Sequence, residues 1–417
     1  MRILFLSDNF PPEGNAPATR TYEHAVRWVR AGHEVTVITC APNFPEGRLF
    51  DGYRNAWRGV ETVDGIRVVR VKTYITANEG FVKRSLDYIS FMAASVVAGL
   101  FEPRHDVIVA TSPQFFCALG GWALARLRRR PFVFELRDLW PASITAVGAM
   151  KRSLAIRVLE RVEMFLYRSA DAIVPVTQSF REELIERGVD ADKIHVVLNG
   201  VDLQRYAPCA RDPELGERYD LHGRFVVGYL GTHGMAHGLE TVIDAAQRLQ
   251  HDPRIAFFFA GSGAERARVE QLVAQRGLDN VRMIPRQPKE MMPKLWGLCD
   301  VSLIPLRDNP VFAGVIPSKL FEGMGMGVPA LMSLPRGEAT RIVESTGCGV
   351  CVPAENAEAM AAAIVALAED PARMQRLRAA SVAAAPAYSR DRQARLMTDA
   401  LARLIGDDTQ DLLRVGK

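Results

Sequence analysis

The chain has 417 residues, 48% of them hydrophobic and 24% charged, with a formal net charge of +4. Such a length points to two domains of roughly 200 residues. The composition is that of a globular protein with full cores, and the positive balance is too weak to indicate nucleic acid as a partner.

Read in chain order, the first half alternates strand and helix. Arg2–Leu6 is a short apolar run that predicts a buried strand and is too short for a signal peptide. A helix is expected over Thr19–Ala31, stopped by Gly32, and strands over Glu34–Thr39, Ile66–Val71, Val107–Ala110, Phe132–Glu135, Ala172–Val176 and Ile194–Val197. Helices fit Ser85–Leu100, Phe115–Arg128 and Ser153–Ser169. Tyr88 to Phe101 is the longest apolar run, short of the roughly 20 residues that cross a bilayer, so it reads as a buried or interfacial helix. The basic clusters Lys83-Arg84, Arg126-Leu127-Arg128-Arg129-Arg130 and Lys151-Arg152 read as solvated faces or as contacts to an anionic membrane surface.

Asn199-Gly200-Val201-Asp202 breaks the alternation, and a polar stretch through Pro208 sets the expected domain boundary there. The pattern restarts with strands at Phe225–Leu230, Ile255–Ala260, Val281–Ile284, Val301–Pro305 and Ala330–Met332, and with helices at Leu239–Gln250, Glu265–Arg276, Pro317–Gly325 and Ala357–Glu369. The expected fold is α/β: two Rossmann-like, doubly wound parallel-sheet domains facing a cleft, spanning 1–207 and 208–388, with the 389–417 segment crossing back to the first. The six cysteines suggest neither a disulfide framework nor a zinc site, and point to a reducing cytoplasm.

Pro317-Ser318-Lys319-Leu320-Phe321-Glu322-Gly323 carries the clearest chemistry. A helix starting at the proline places Lys319 and Glu322 on one face, side by side at its N-terminus. The amide dipoles and Lys319 suit phosphate, and Glu322 suits the two hydroxyls of a ribose, so the segment fits a nucleotide sugar. Gly231-Thr232-His233-Gly234-Met235-Ala236-His237-Gly238 follows a strand and opens a helix, as a loop that lets backbone amides approach an anion. Phe259-Ala260-Gly261-Ser262-Gly263 repeats that arrangement more weakly. In the first half, Ser7 to Pro17 forms a long strand-to-helix loop holding Gly14 and Asn15, and Glu135-Leu136-Arg137-Asp138-Leu139-Trp140-Pro141 puts a charge cluster at a strand end. An ordinary connection and a surface ion pair are the alternatives for these two. There is no G-x-G-x-x-G in the first loop, against a dinucleotide cofactor, and no Ser-His-Asp set or metal-ligand cluster.

With these residues placed, the chain resembles the family 4 retaining glycosyltransferases of the GT-B fold. The likeness rests on Gly32-His33-Glu34-Val35-Thr36-Val37-Ile38-Thr39, Asn199-Gly200-Val201-Asp202, and Phe321-Glu322-Gly323-Met324 through Pro329. Within the family it is most similar to the bacterial O-antigen and capsule enzymes that transfer N-acetyl-L-fucosamine, through Pro42-Asn43-Phe44-Pro45-Glu46-Gly47, Asp138-Leu139-Trp140-Pro141 and Pro317-Ser318-Lys319. The resemblance implies transfer of a sugar, such as an N-acetylated deoxy-amino hexose, from a UDP-sugar to a lipid-linked (polyprenyl diphosphate) sugar with retention. It implies no cofactor and no metal, and a cytoplasmic enzyme peripheral to the anionic inner membrane. Glu322 takes the ribose-binding role. Gly231, Thr232 and Lys319 hold the diphosphate, and Gly261, Arg286, Gly314, Val315, Ile316 and Ser318 complete the donor set. Gly14, Asn15, Arg137 and Asp138 are assigned to the acceptor, and Arg137 and Asp138 join Glu322 and Lys319 as catalytic candidates. The family pattern has a second glutamate eight positions before the ribose-binding one; here that place is Gly314, and the backbone amides of Gly314–Ile316 are the expected substitute. A nucleotide-sugar epimerase of the same fold and a non-catalytic nucleotide-sugar-binding protein are the alternatives.

Overall fold

The computed structural model describes residues 1–44, 46–76, 81–112, 114–139 and 154–415, with backbone alone for 81–82, 155 and 407–415. Pro45, Trp140, Pro141, Lys151, Arg152 and Ser153, which belong to the motifs and segments named above, lie outside the described residues. The chain divides into two units, Met1–Leu198 with Gln393–Lys417, and Asn199–Arg392, a division that falls ahead of the boundary expected near Pro208.

The first unit is built on seven strands: β1 (Arg2–Leu6), β2 (Glu34–Cys40), β3 (Arg58–Val63), β4 (Ile66–Val71), β5 (Val107–Thr111), β6 (Phe132–Leu136) and β7 (Ala172–Pro175). Their order in the sheet is β3-β4-β2-β1-β5-β6-β7. Side chains of β1 alternate across the sheet, as a strand's period of two requires. Leu4 and Leu6 enter a core with the Phe81–Phe101, Phe115–Arg128 and Leu154–Ser169 helices, while Ile3 and Phe5 enter the opposite one with the Ala16–Arg30 helix. Met397 and Leu401 of the Arg390–Val415 helix belong to this second core, and the Trp28 indole N–H donates to the Ala394 carbonyl at 3.1 Å.

Two features depart from the sequence reading. β3 pairs antiparallel with β4 through the tight Asp64-Gly65 turn, so the sheet is not wholly parallel. Its residues alternate between exposed and half-buried, which hides an edge strand from a search for apolar runs. Ile194–Val197 is not a regular strand: it runs beside β7 through an isolated bridge between Ile194 and Ile173, with the His195 and Val197 amides donating to the Ile173 and Pro175 carbonyls at 2.9 and 3.0 Å.

The second unit carries β8 (Phe225–Leu230), β9 (Ile255–Ala260), β10 (Val281–Ile284), β11 (Val301–Pro305), β12 (Ala330–Ser333) and β13 (Gly349–Val352), in the order β10-β9-β8-β11-β12-β13, with every pair parallel. The short β13, half-buried along its length, was not expected from the sequence. One face packs the Leu239–Arg248 and Ala357–Ala368 helices; the other packs Leu295 and Trp296 of the Met292–Gly297 helix and Met326 of the Ser318–Met326 helix. In each sheet the chain order reverses at the first strand, between β1 and β5 and between β8 and β11. Loops at the carboxyl ends of those strands diverge and leave room for a ligand.

Candidate functional site

In the second unit, β8 ends at Leu230 and Gly231 follows with φ +144°, a conformation open to glycine. A side chain is also excluded by space, because a Cβ on Gly231 would lie 2.7 Å from Lys319 Cε. Lys319 reaches this point from the Ser318–Met326 helix, which follows β11 on the other side of the switch. Gly261, at the end of β9, is pressed so close that a Cβ there would collide with the Gly231 carbonyl. Three sequence-predicted residues therefore meet at one place: Gly231, Gly261 and Lys319.

The loop is held from below. The His233 N–H donates to the Ser262 carbonyl at 2.9 Å, and the Glu265 N–H donates to the His233 carbonyl at 2.9 Å. Arg307 donates through Nε to the Met235 carbonyl at 2.8 Å and through its guanidinium to Glu240 at 2.7 Å. Thr232 is exposed at the top of the loop, while its carbonyl accepts from the Tyr229 hydroxyl.

Lys319 does not pair with Glu322. Its Nζ lies 4.5 Å from the centroid of the Tyr229 ring, and it makes no hydrogen bond or ion pair among the described residues. Burial lowers its pKa to about 8, with Glu322 pulling the other way. Glu322 instead accepts a hydrogen bond from the Trp296 indole N–H at 3.2 Å. Burial raises its carboxyl above the ordinary range, and Trp296, Lys319, Arg390 and Lys289 oppose that rise. The two side chains share a helix face, but each is held by its own aromatic partner.

Pro317 occupies the N-cap of this helix rather than its first turn, and no side chain caps the end. The Leu320 amide turns back to the Pro317 carbonyl at 3.1 Å, and the Ser318 and Lys319 amides are left for a ligand, with the helix dipole behind them. Ser318 is exposed at the first position. Gly314 closes the 3-10 turn Pro310–Gly314, and Val315 and Ile316 run on to the helix. The Val315 amide is already committed to the Phe312 carbonyl at 3.2 Å, so of the three amides expected to replace a glutamate this one is taken. Arg286 is exposed just past the end of β10.

Four residues here were not singled out from the sequence. Tyr229 and Trp296 carried no local signal, since one reads as strand and the other lies 26 positions before Glu322. His233 and His237 stood inside the glycine loop and were legible. His233 is fully buried, its ring nitrogens without partners among the described residues, and burial followed by Arg266 and Lys319 depresses it to about 4. His237 is also lowered to about 4, by burial first and then by Lys319, while its Nδ1 lies 3.3 Å from the Pro305 carbonyl. With values near 4 both imidazoles are neutral at physiological pH, and because Arg266 is paired with Glu270 and Arg307 with Glu240, Lys319 is left as the cation of this loop without a carboxylate partner among the described residues.

In the first unit, Arg137 follows β6. Its backbone N–H donates to Ser112 Oγ at 2.8 Å beyond β5, and its guanidinium reaches the Pro17 carbonyl at 3.3 Å beyond β1. Burial lowers its pKa to about 10, against the pull of Glu135 and Asp8. Glu135 is bound to Arg20 at 2.8 Å, and Arg20 donates to the Val197 and Leu198 carbonyls. Asp8, absent from the sequence candidates, lies beside Arg137 and Asn9, and burial raises its carboxyl. Asn15 caps the Ala16–Arg30 helix by accepting from Ala18 N at 2.9 Å, and its amide group donates to Asn9. Gly14 is exposed on this loop, and Asp138 is half-buried beside Arg137. Glu13 accepts from the amides of Asn43 and Phe44 at 2.8 and 2.9 Å, which ties the Pro42-Asn43-Phe44 segment to the same loop.

Residues 15–200 match the glycosyl transferase 4-like domain, and residues 217–383 match the glycosyl transferases group 1 family. The chain is 30% identical over 375 residues to the putative colanic acid biosynthesis glycosyl transferase WcaI of Escherichia coli K12, covering 87% of this chain and 91% of that one. This protein is a group 1 glycosyltransferase. A probable glycosyltransferase, WbjE of Pseudomonas aeruginosa, is 28% identical over 243 residues, covering 57% of this chain and 60% of the other. Among solved structures, the transferase matches sucrose-phosphate synthase from Thermosynechococcus elongatus with a TM-score of 0.79 at 19% identity, over 98% of this chain and 100% of that one. It matches Anabaena Alr3699/HepE in complex with UDP and glucose with a TM-score of 0.71 at 20% identity, over 96% and 99% of the two chains. These likenesses show the GT-B fold, with two Rossmann-like sheets. The WcaI relative is named for colanic acid biosynthesis.

Proposed function

We propose that this transferase moves a sugar from a UDP-sugar to a lipid-linked sugar diphosphate on an anionic membrane, with retention at the anomeric carbon. The observation that carries the donor half is Lys319: a buried ammonium without a carboxylate partner among the described residues, beside the Gly231 loop and at an uncapped helix end. A diphosphate supplies the charge this group lacks. Glu322, fixed through one oxygen by Trp296, is assigned the ribose hydroxyls. The UDP bound by the structurally similar HepE supports UDP as the nucleotide. The sugar is proposed to be an N-acetylated deoxy-amino hexose such as N-acetyl-L-fucosamine, following the motif likeness.

The acceptor is assigned to the first unit, beside Asp8, Asn15, Arg137 and Asp138. In the proposed reaction the bond from the anomeric carbon to the β-phosphate oxygen breaks, and the acceptor oxygen bonds the same carbon on the same face. The acceptor proton passes to the departing phosphate oxygen. Lys319 and the loop and helix amides stabilise the charge developing there, so the scheme draws its positive charge from the protein and calls on no metal.

The test is UDP release from a panel of UDP-sugars, with and without a lipid-linked acceptor, followed by NMR of the product's anomeric configuration. Acceptor-dependent release with retained configuration supports the proposal. Interconversion of the UDP-sugar without acceptor, UDP-sugar binding without turnover, or an inverted product overturns it.

A further inference from the structure

Exposed large apolar side chains are unevenly spread over the described residues. The second unit shows Met235, Val311 and Val382, and the face of the first unit covered by the Ala16–Arg30 and Arg390–Val415 helices shows Leu396. Six more, Phe44, Leu49, Trp57, Val60, Tyr74 and Ile185, are spread over loops, β3 and the Gln178–Glu186 helix of the first unit, and the other nine lie on three helices of its opposite face. On Phe81–Phe101 the outward positions Leu86, Ile89, Ala93, Val97 and Leu100 recur every three or four residues and include no charge, and Phe101 is 78% exposed. This stripe runs about 20 Å along the helix. Its inner side is fully used: Phe91 and Ala98 are in the core, and Gly120 of the Phe115–Arg128 helix packs so close that a Cβ there would lie 3.3 Å from Met92 Cγ.

The Leu154–Ser169 helix continues the surface. Leu154, Val158 and Phe165 face outward with Arg161 between them, and Arg157 and Arg168 line one flank. Trp122 of the middle helix packs edge-on against Phe165, with ring centroids 4.8 Å apart. Lys83 stands at one end of the layer, and Arg104, Arg126 and Arg129 stand with Phe101 and Leu127 near the other. The carboxylates are withdrawn. Glu102 is paired inward to Arg58 and Arg67, Glu163 is paired to Arg187, and Asp87 is half-buried, leaving Glu160 as the exposed acid on these helices among the described residues.

We propose that this three-helix layer is the docking surface for an anionic phospholipid bilayer, a proposal that rests on the lipid-linked acceptor reading above and assigns that membrane its face on the protein. An uncharged stripe rimmed by arginines suits a helix lying in the interface, its apolar side in the acyl boundary and its guanidinium groups among the phosphates. No helix of the described residues is long and apolar enough to cross a membrane. A second copy of the chain is the poorer occupant, because it brings arginines against arginines with one exposed acid to offset them.

Flotation with vesicles of phosphatidylcholine, alone or mixed with phosphatidylglycerol, tests this on the full chain. The unmodified protein is expected to float with the anionic vesicles at low salt and to be released by high salt. The Val97→Asp/Leu100→Asp and Arg161→Glu/Arg168→Glu variants are each expected to bind them at least roughly tenfold more weakly. Their melting temperatures, and UDP release with a short-chain water-soluble acceptor, should stay at the unmodified values, so a failure of docking is read separately from a failure of the transferase reading. Absence of binding to anionic vesicles, or equal binding by the variants, overturns the proposal. A concentration-dependent dimer that dissociates in the same variants overturns it in favour of self-association.

Discussion

Trp296 donates its indole N–H to Glu322 Oε2 at 3.2 Å and so ties the Met292–Gly297 helix to the Ser318–Met326 helix at the proposed ribose site. Trp296 is fully buried, and the bond leaves the second carboxylate oxygen of Glu322 for a ligand. Trp296→Phe keeps the bulk and removes the bond. A hydrogen bond to a charged group contributes roughly 1.5–3 kcal/mol, so UDP affinity should fall about 10- to 100-fold. Glu322→Ala should fall further. Calorimetric titration with UDP checks both, and unchanged affinity in Trp296→Phe would remove the positioning role.

The lowered pKa of Lys319, about 8, makes donor binding pH-dependent. The free protein holds the ammonium against its burial, and a bound diphosphate stabilises the charged form and raises the pKa in the complex. Affinity for UDP should therefore be highest below pH 8 and weaken as pH climbs through and past that value, approaching tenfold per unit for one linked proton. Titration near pH 9 in buffers of different ionisation enthalpy should show proton uptake on binding. Lys319→Arg should abolish the uptake.

Gly261→Ala sets a methyl group against the Gly231 carbonyl at a glycine with φ +157°. The two loops must separate to admit it, which moves Gly231 away from Lys319. UDP affinity should drop by more than about tenfold and stability by more than about 1 kcal/mol. Alanine at Gly277, where a Cβ meets nothing within 4 Å, shares the positive φ without the collision and should leave UDP binding intact.

Asp87, on the inner flank of the Phe81–Phe101 helix, has its pKa raised to about 7 by burial and then by Asp8 and Glu13, against the pull of Arg84. A carboxyl raised in the folded state costs nothing below its unfolded value near 4, and its cost grows as pH rises towards about 7 and persists above. Asp87→Asn should therefore raise the melting temperature by a few degrees at pH 8 and leave it unchanged at pH 4. Equal effects at both values would show that the carboxylate is not strained.

Much of the fold was legible because buried parallel strands are written as continuous apolar runs. Phe225–Leu230 and Ile255–Ala260 coincide with β8 and β9 for that reason. β3 and β13 escaped because strands with exposed or half-buried residues lack that signature. Ile194–Val197 has the composition of a strand and donates two amides to β7, but its pairing stops at an isolated bridge and does not extend into a ladder.

The sequence by itself determined the alternation of β and α, the glycine loop after β8, and the helix bearing Lys319 and Glu322, because each depends on residues near one another in the chain. Tertiary structure alone decided that Lys319 rests over Tyr229 rather than on Glu322, that Trp296 holds Glu322, and that Arg137 lies beside Asp8 and reaches the first turn of the Ala16–Arg30 helix. Those contacts join side chains tens to more than a hundred positions apart. They exist because parallel strands bring their carboxyl ends to one edge of a sheet, a consequence of strand order that no local pattern of residues encodes.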